Sequence, residues 1–280
     1  MQQNIRKLPD FAINAMQISE SEFLKFQQFI YQTAGINLSD SKKALVCGRL
    51  GKRLNACRVG TFSEYFALLM NGNSASEVQN AIDLLTTNET YFFREPKHFE
   101  CLRKEALSSP ADRQFRVWSA ASSSGEEAYS ASMVLADALP GRKWDVLGSD
   151  ISTRVLQRAR TGHYSTDRLQ NFPPGFLKRF CLMGYGPQEG TLLVDRRLRE
   201  RVQFLQVNLN GTLPHIGPFD VIFLRNVLIY FDRDTKARVV RNVLQRLRPG
   251  GMLFVGHSES LMDITREVVA LAPSIFRKPG

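Results

Sequence analysis

The 280-residue chain has no apolar run that approaches the ~20 residues of a membrane-spanning helix. Residues Met1 to Asp10 are polar, so no signal-peptide core is expected there. Its four cysteines, Cys47, Cys57, Cys101 and Cys181, form no CxxC pair. That argues against a disulfide framework or structural metal cluster, and makes a reducing cytoplasm the expected compartment. The four histidines are equally scattered, so no metal site is expected. There is no GxGxxG, no internal repeat and no low-complexity tract. Acidic residues are outnumbered: 27 Asp and Glu stand against 37 Lys and Arg, for a net charge of +10. That balance suits a nucleic acid, an anionic membrane or an acidic protein surface, and composition does not choose among them.

What is present centres on the stretch from Phe115 to Tyr129. Val117 and Trp118 end a short buried strand. Ser119 to Gly125 form a turn of small residues, and Glu126 opens a segment with apolar positions at Ala128, Met133, Val134 and Leu135, spaced as on a helix. A strand, a tight turn and a helix amino end make the usual crevice for a nucleotide-like ligand. One such unit further on, Val146 to Asp150 repeats the pattern and ends in a carboxylate, placed to reach ribose hydroxyls. The paired Glu126 and Glu127 would repel a pyrophosphate but not a ligand with a ribose and a positive charge. The pattern therefore favours S-adenosylmethionine (AdoMet) over NAD. The competing reading is a structural turn whose glutamates complement the helix dipole.

Around this centre the chain falls into parts. Residues 1 to about 18 look like a frayed leader. Ser19 or Ser21 caps a helix with an apolar stripe at Phe23, Phe26, Phe29 and Ile30, and Gly35 stops it. Ser39 to Cys57 is a second helix, with Ala44, Leu45, Leu50 and Leu54 inward. Arg49, Lys52 and Arg53 share its outer face, and no acid is interleaved from Lys42 to Arg58. Helices over Thr61 to Met70 and Ser74 to Leu85 complete an all-α domain, residues 1–85. Residues 86–96 form a connector rich in aromatic and polar groups, of a kind that is often functional. From 97 to 280, strands alternate with helices, which predicts an α/β domain with a doubly wound, mostly parallel sheet. Within it, residues about 163–203 form a small β insertion, to which strands at Leu192 to Val194 and Arg201 to Leu205 are assigned. The run Phe219 to Leu224 is a fully buried strand, a basic helix spans about 233–247, and the segment after Glu267 adds edge strands.

Several segments, in order, resemble the bacterial chemotaxis receptor methyltransferases, the CheR family: Thr86 to Arg94, Val117 to Ala121 running to Glu127, Ser149-Asp150-Ile151, Phe219-Asp220, Arg225 to Phe231, and Gly256-His257-Ser258-Glu259. The resemblance implies a class I methyltransferase fold and an AdoMet-dependent protein-glutamate O-methyltransferase of the EC 2.1.1.80 type. By the same resemblance Asn88, Thr90, Arg94, Glu127, Asp150, Asn208, Leu209, Asn226 and Val227 contact the cofactor, and Arg94 and Tyr230 stand beside the methyl group. The implied partner is the cytoplasmic helical bundle of a methyl-accepting chemoreceptor, docked on Arg49, Lys52 and Arg53. A glycine-bearing loop with Gly184, Gly186 and Gly190 resembles that of members that bind the receptor's carboxyl-terminal pentapeptide, although Met183 and Leu193 stand where such a relative can carry arginines. A cytoplasmic monomer with no resident metal is expected.

Three other readings are weighed against this one. A nucleic-acid methyltransferase suits the charge, but the strand end reads Arg225-Asn226-Val227 in place of an Asn/Asp-Pro-Pro-aromatic motif. A NAD-dependent oxidoreductase lacks its glycine motif. A silent receptor-binding scaffold would not need the intact connector, Asp150 and Asn226.

Overall fold

The computed structural model describes residues 17–72, 74–169 and 171–280; the leader expected over the first residues lies largely outside them. Helix α1 (Glu20–Ala34) begins at Ser19, whose hydroxyl accepts from the Glu22 N–H while Glu22 reaches back, and it ends on Gly35 in the left-handed region. A 3-10 turn (Asp40–Lys42) leads into α2 (Lys43–Cys57), followed by α3 (Phe62–Met70) and α4 (Ala75–Leu85). The phase of α2 differs from expectation. Val46, Leu50 and Leu54 face the core, and Ala44 is exposed. Phe26 sits fully buried against the rings of Phe62, Tyr65 and Phe66, at 5.4–6.3 Å, a burial that contributes about 1.5–3 kcal/mol.

The second half runs α5 (Pro96–Ser108), β1 (Phe115–Ser119), α6 (Glu126–Ala138), β2 (Trp144–Asp150), α7 (Thr153–Thr161), β3 (His163–Ser165), α8 (Phe176–Phe180), β4 (Cys181–Met183), β5 (Thr191–Val194), α9 (Arg196–Arg199), β6 (Val202–Gln206), β7 (Phe219–Leu224), α10 (Arg233–Leu244), β8 (Leu247–Val255), β9 (Val269–Ala272) and β10 (Ile275–Arg277). Seven strands make one sheet in the order β6-β2-β1-β7-β8-β10-β9. Its first five are parallel, and β10 is antiparallel to both its neighbours. The remaining strands form a separate antiparallel sheet, β3-β5-β4.

One strand assignment is corrected. The segment expected at Arg201 to Leu205 as part of the β insertion is β6, and it pairs with β2 at the edge of the main sheet, Val146 opposite Val202. Gln203, Leu205 and Gln206 are exposed there, so its alternating pattern looks like that of a small two-sided sheet.

Because side chains alternate across a strand, the sheet divides two cores. Trp118, Ile222 and Leu253 face one, which they share with α10 and the buried stripe of the helical domain. Val117, Val221 and Phe223 face the other, with α5 and α6. The carboxyl ends of the parallel strands open beneath the helical domain.

Candidate active site

At those strand ends lies a cavity of about 400 Å³. Its floor is the turn after β1 (Ala120, Ala121, Ser123), Asp150 and Ile151 after β2, Asn208 and Leu209 after β6, and Asn226 and Val227 after β7. The connector supplies Asn88, Thr90, Tyr91 and Arg94. The helical domain closes it with Ile36, Leu38, Ser39, Lys42 and Leu45. The structure thus brings together around one cavity Asn88, Thr90, Arg94, Glu127, Asp150, Asn208, Leu209, Asn226, Val227 and Tyr230. Arg49, Lys52 and Arg53 do not line it, and neither do Gly184, Gly186 and Gly190.

Each polar group is held by a neighbour. Asp150 accepts from the Ser123 N–H and the Ser152 N–H, both at 2.9 Å. Burial pushes its carboxyl up to about 6 in spite of these bonds. Asn208 Nδ2 donates to the Thr33 carbonyl of α1 at 2.6 Å. The Asn88 carbonyl accepts from Ser123 Oγ at 3.0 Å, and the Thr90 carbonyl from Arg168 at 3.1 Å. Burial raises the Tyr230 phenol, while a Thr87 hydrogen bond and nearby Arg94 pull the other way, so it is a proton donor at neutral pH. Its carbonyl takes the Asn37 N–H at 2.8 Å, a direct link from the helical domain. The Arg94 guanidinium donates to the Glu89 carbonyl at 3.3 Å and lies 5.7 Å from the Tyr91 ring.

The two glutamates opening α6 differ from each other. Glu127 lines the cavity and accepts from Ser119 Oγ and Arg225 Nη1, both at 2.7 Å; burial raises its carboxyl against the pull of Arg225. Glu126 faces away, bound to Ser124 Oγ and Arg168. The sequence argument from two bare acids is therefore corrected: one lies outside the cavity, and both are paired with arginines. The glycine at position 125 has a local cause. With φ +97 and Ala159 and Tyr164 within 2.9 Å of where a Cβ would sit, it is required by packing.

Two residues outside the expected set organise the site. The Arg225 side chain is 1% exposed, pairs with Glu127 and Glu95, and donates to the Arg94 carbonyl at 2.6 Å. The available signal was a cation directly after the apolar run Val221 to Leu224. Glu259 accepts from the N–H groups of Asn226 (2.8 Å), Ile229 (3.2 Å) and Gly256 (2.6 Å), and so fixes the loop after β7. A Cβ on Gly256 would stand 2.5 Å from Asn226 Nδ2, which accounts for a glycine in the Gly256-His257-Ser258-Glu259 segment.

On α2 the picture is different from the expected free face. Arg53 is bound by Glu77 of α4 at 2.6 and 2.8 Å. Burial alone would raise Glu77, but hydrogen bonds from Arg53, Asn80 and Tyr65 hold it down at about 2. Arg49 donates to the Leu84 and Thr86 carbonyls where the connector begins. Lys52 is exposed. In the small sheet, the loop between β4 and β5 holds Gly186 (φ +57) and Gly190 (φ +78), and a Cβ on Gly184 would clash with the Gln188 carbonyl at 1.9 Å. Strand β4 is an outer strand there, with Leu182 and Met183 exposed.

The cavity fits an adenosyl ligand. Its volume lies within the range of small-molecule sites. Asp150 is an acceptor for a diol, Glu127 for an ammonium group, and Ile151, Leu209 and Val227 give apolar walls. Of its cations, Arg225 is already held between two carboxylates. A doubly wound sheet with this acceptor at the second strand end defines a class I AdoMet-dependent methyltransferase. Residues 88–274 match the CheR methyltransferase SAM binding domain, and residues 21–86 the CheR methyltransferase all-alpha domain. The chain belongs to the CheR methyltransferase family.

It is 43% identical over 263 residues to the chemotaxis protein methyltransferase of Salmonella typhimurium, covering 92% of this chain and 90% of that one. With the protein of the same name from Escherichia coli it shares 42% over 265 residues, 92% and 91% of the two chains. A chemotaxis protein methyltransferase 2 of Pseudomonas aeruginosa is 39% identical over 274 residues, 96% of each chain.

Proposed function

We propose that the protein methylates glutamate side chains on the cytoplasmic helical bundle of chemoreceptors, forming γ-carboxyl methyl esters, and that it acts in the cytoplasm. The observation that carries this is the cavity rim. Arg94 has no ion pair to a carboxylate among the described residues, and it sits near the protonated Tyr230 phenol, leaving a cation and a donor for an incoming carboxylate. No histidine or cysteine lines the cavity. None is needed, since a glutamate with a pKa near 4.3 is ionised at neutral pH. When bound, AdoMet would supply a sulfonium methyl group open to attack by an ionised carboxylate, with S-adenosyl-L-homocysteine as the group displaced. Arg94 orients the acceptor and Tyr230 positions it through a weaker hydrogen bond. Placement of this kind lowers a barrier by up to ~7–11 kcal/mol.

Lys52, with Arg49 and Arg53 beside it, presents α2 to the acidic receptor bundle. The β4 edge and the Gly184–Gly190 loop suit the receptor's carboxyl-terminal pentapeptide, added as a further strand. The test is to incubate the protein with methyl-labelled AdoMet and receptor-containing membranes. Base-labile label on the receptor is the expected result. Absence of label, or label that resists alkali, overturns the proposal.

A further inference from the structure

The histidines that look scattered along the chain include two that meet. His98, on the first turn of α5, is 0% exposed, and His257, after β8, stands beside it with ring centroids 5.5 Å apart. Between them is Glu95. Its Oε2 lies 3.4 Å from His98 Nδ1 and 3.7 Å from His257 Nε2. The three ligand atoms all lie within 4.8 Å of one another. A tetrahedral zinc ion with bonds of about 2.0–2.1 Å needs ligand atoms roughly 3.3–3.5 Å apart, so two of these separations already approach the edges of such a tetrahedron.

The protonation pattern points the same way. Ser274 Oγ donates to the Pro273 carbonyl at 2.6 Å, so toward His98 Nε2, at 2.8 Å, it acts as acceptor. The ring proton is then on Nε2, and Nδ1 is left with a bare lone pair. Nδ1 is buried and has no hydrogen-bond partner, yet it faces a carboxylate oxygen. Such an orienting bond on the far nitrogen is what metal-bound histidines carry. Arg225 Nη2 lies 3.1 Å from the same Glu95 oxygen and fixes the carboxylate.

We propose that Glu95, His98 and His257 form a binding site for a divalent transition metal of the zinc type, with a fourth position open toward the exposed side of His257. Two imidazoles and a carboxylate are a ligand set for zinc. The site lies behind the cofactor cavity and shares Glu95 with Arg225, which also holds Glu127. Metal uptake competes with Arg225 for that carboxylate and loosens its hold on the cavity wall.

The experiment uses the full, untagged chain after chelator treatment, titrated with Zn²⁺ by calorimetry and with Co²⁺ by visible absorption. One equivalent per chain and the absorption of tetrahedral cobalt are expected. His257→Ala, at a half-exposed position, should weaken zinc binding by at least about 100-fold. His98→Asn, with folding checked by thermal melting, should do the same. No uptake, or uptake unchanged in His257→Ala, overturns the proposal. It would leave an ordinary contact between His98 and Glu95, and zinc only adventitious at outlying histidines such as His163 or His215.

Discussion

The cofactor cavity and the outer face of α2 are both built from polar side chains, but they are determined in different ways. In the cavity most of the groups sit at a strand end, in the turn or helix start that follows it, or on the connector, and the backbone geometry of the sheet aims them inward. On α2 the same helical spacing that aligns Arg49, Lys52 and Arg53 says nothing about what faces them. Glu77 of α4 neutralises Arg53, and the carbonyls of Leu84 and Thr86 take Arg49. A site at a strand end follows from local sequence, whereas a charged face depends on elements that arrive from elsewhere.

Four experiments test this contrast. The largest effect is expected at the rim. Arg94→Ala should lower turnover by about 10²–10³-fold, as removal of a preorganised charge does, with a smaller change in AdoMet affinity. Tyr230→Phe should cost about tenfold, the value of one hydrogen bond. Methyl transfer to receptor membranes, with cofactor binding measured in parallel, checks both. Unchanged turnover in both variants removes them from the chemistry.

Next comes Asp150→Asn, which should weaken AdoMet binding by about 10–100-fold through loss of charge-assisted hydrogen bonds. In the unmodified chain the carboxyl titrates near 6. Binding prefers the ionised acceptor, so affinity should fall as pH drops through 6, and should lose that dependence in Asp150→Asn. The sign for folding is opposite. A carboxyl raised above its unfolded value of about 3.9 disfavours the fold once ionised, so its contribution to stability declines as pH rises from about 4 through 6. Calorimetric affinity and melting temperature followed over the same pH range should therefore move in contrary directions for this group.

Smaller effects belong to α2. Arg53→Glu sets an acid against Glu77 and should cost about 1–3 kcal/mol of stability as well as receptor methylation, with AdoMet binding intact. Lys52→Glu should slow methylation a few-fold, mainly at low salt, with the melting temperature unchanged. If Lys52→Glu is silent and Arg53→Glu acts through stability alone, α2 is not the docking face. The least effect is expected at Gly186→Ala. The left-handed backbone there costs an alanine about 1–2 kcal/mol, so pentapeptide affinity measured by calorimetry should fall several-fold.

Much of the architecture was readable in advance. The small-residue turn before α6, the carboxylate closing β2 and the buried run of β7 are local patterns, and each kept its place. Asp150 could be singled out because a strand end fixes its direction, whereas Glu127 was distinguished only through the family resemblance. The ties of Arg225 to Glu95 and Glu127 were not readable, since they join residues far apart in the chain that only the folded sheet brings together. For the same reason Glu126 and Glu127 could not be told apart: their opposite directions follow from where Arg168 and Arg225 stand. The edge strand β6 was misassigned because one exposed side gives it the pattern of a two-sided ribbon.

The helical domain and one side of the main sheet bury their apolar residues in a single mass, with Phe26, Leu50 and Leu85 in the same cluster as Trp118, Val239 and Leu253. The chain consequently offers no clean seam for exchanging modules. A hybrid that takes its first four helices from a relative would have to import the facing positions of β1, α10 and β8 as well, or begin life with a mismatched centre. Tolerated variation in the first four helices is thereby channelled to their outward surface, because inward changes are felt at once by the half of the molecule that holds the cofactor.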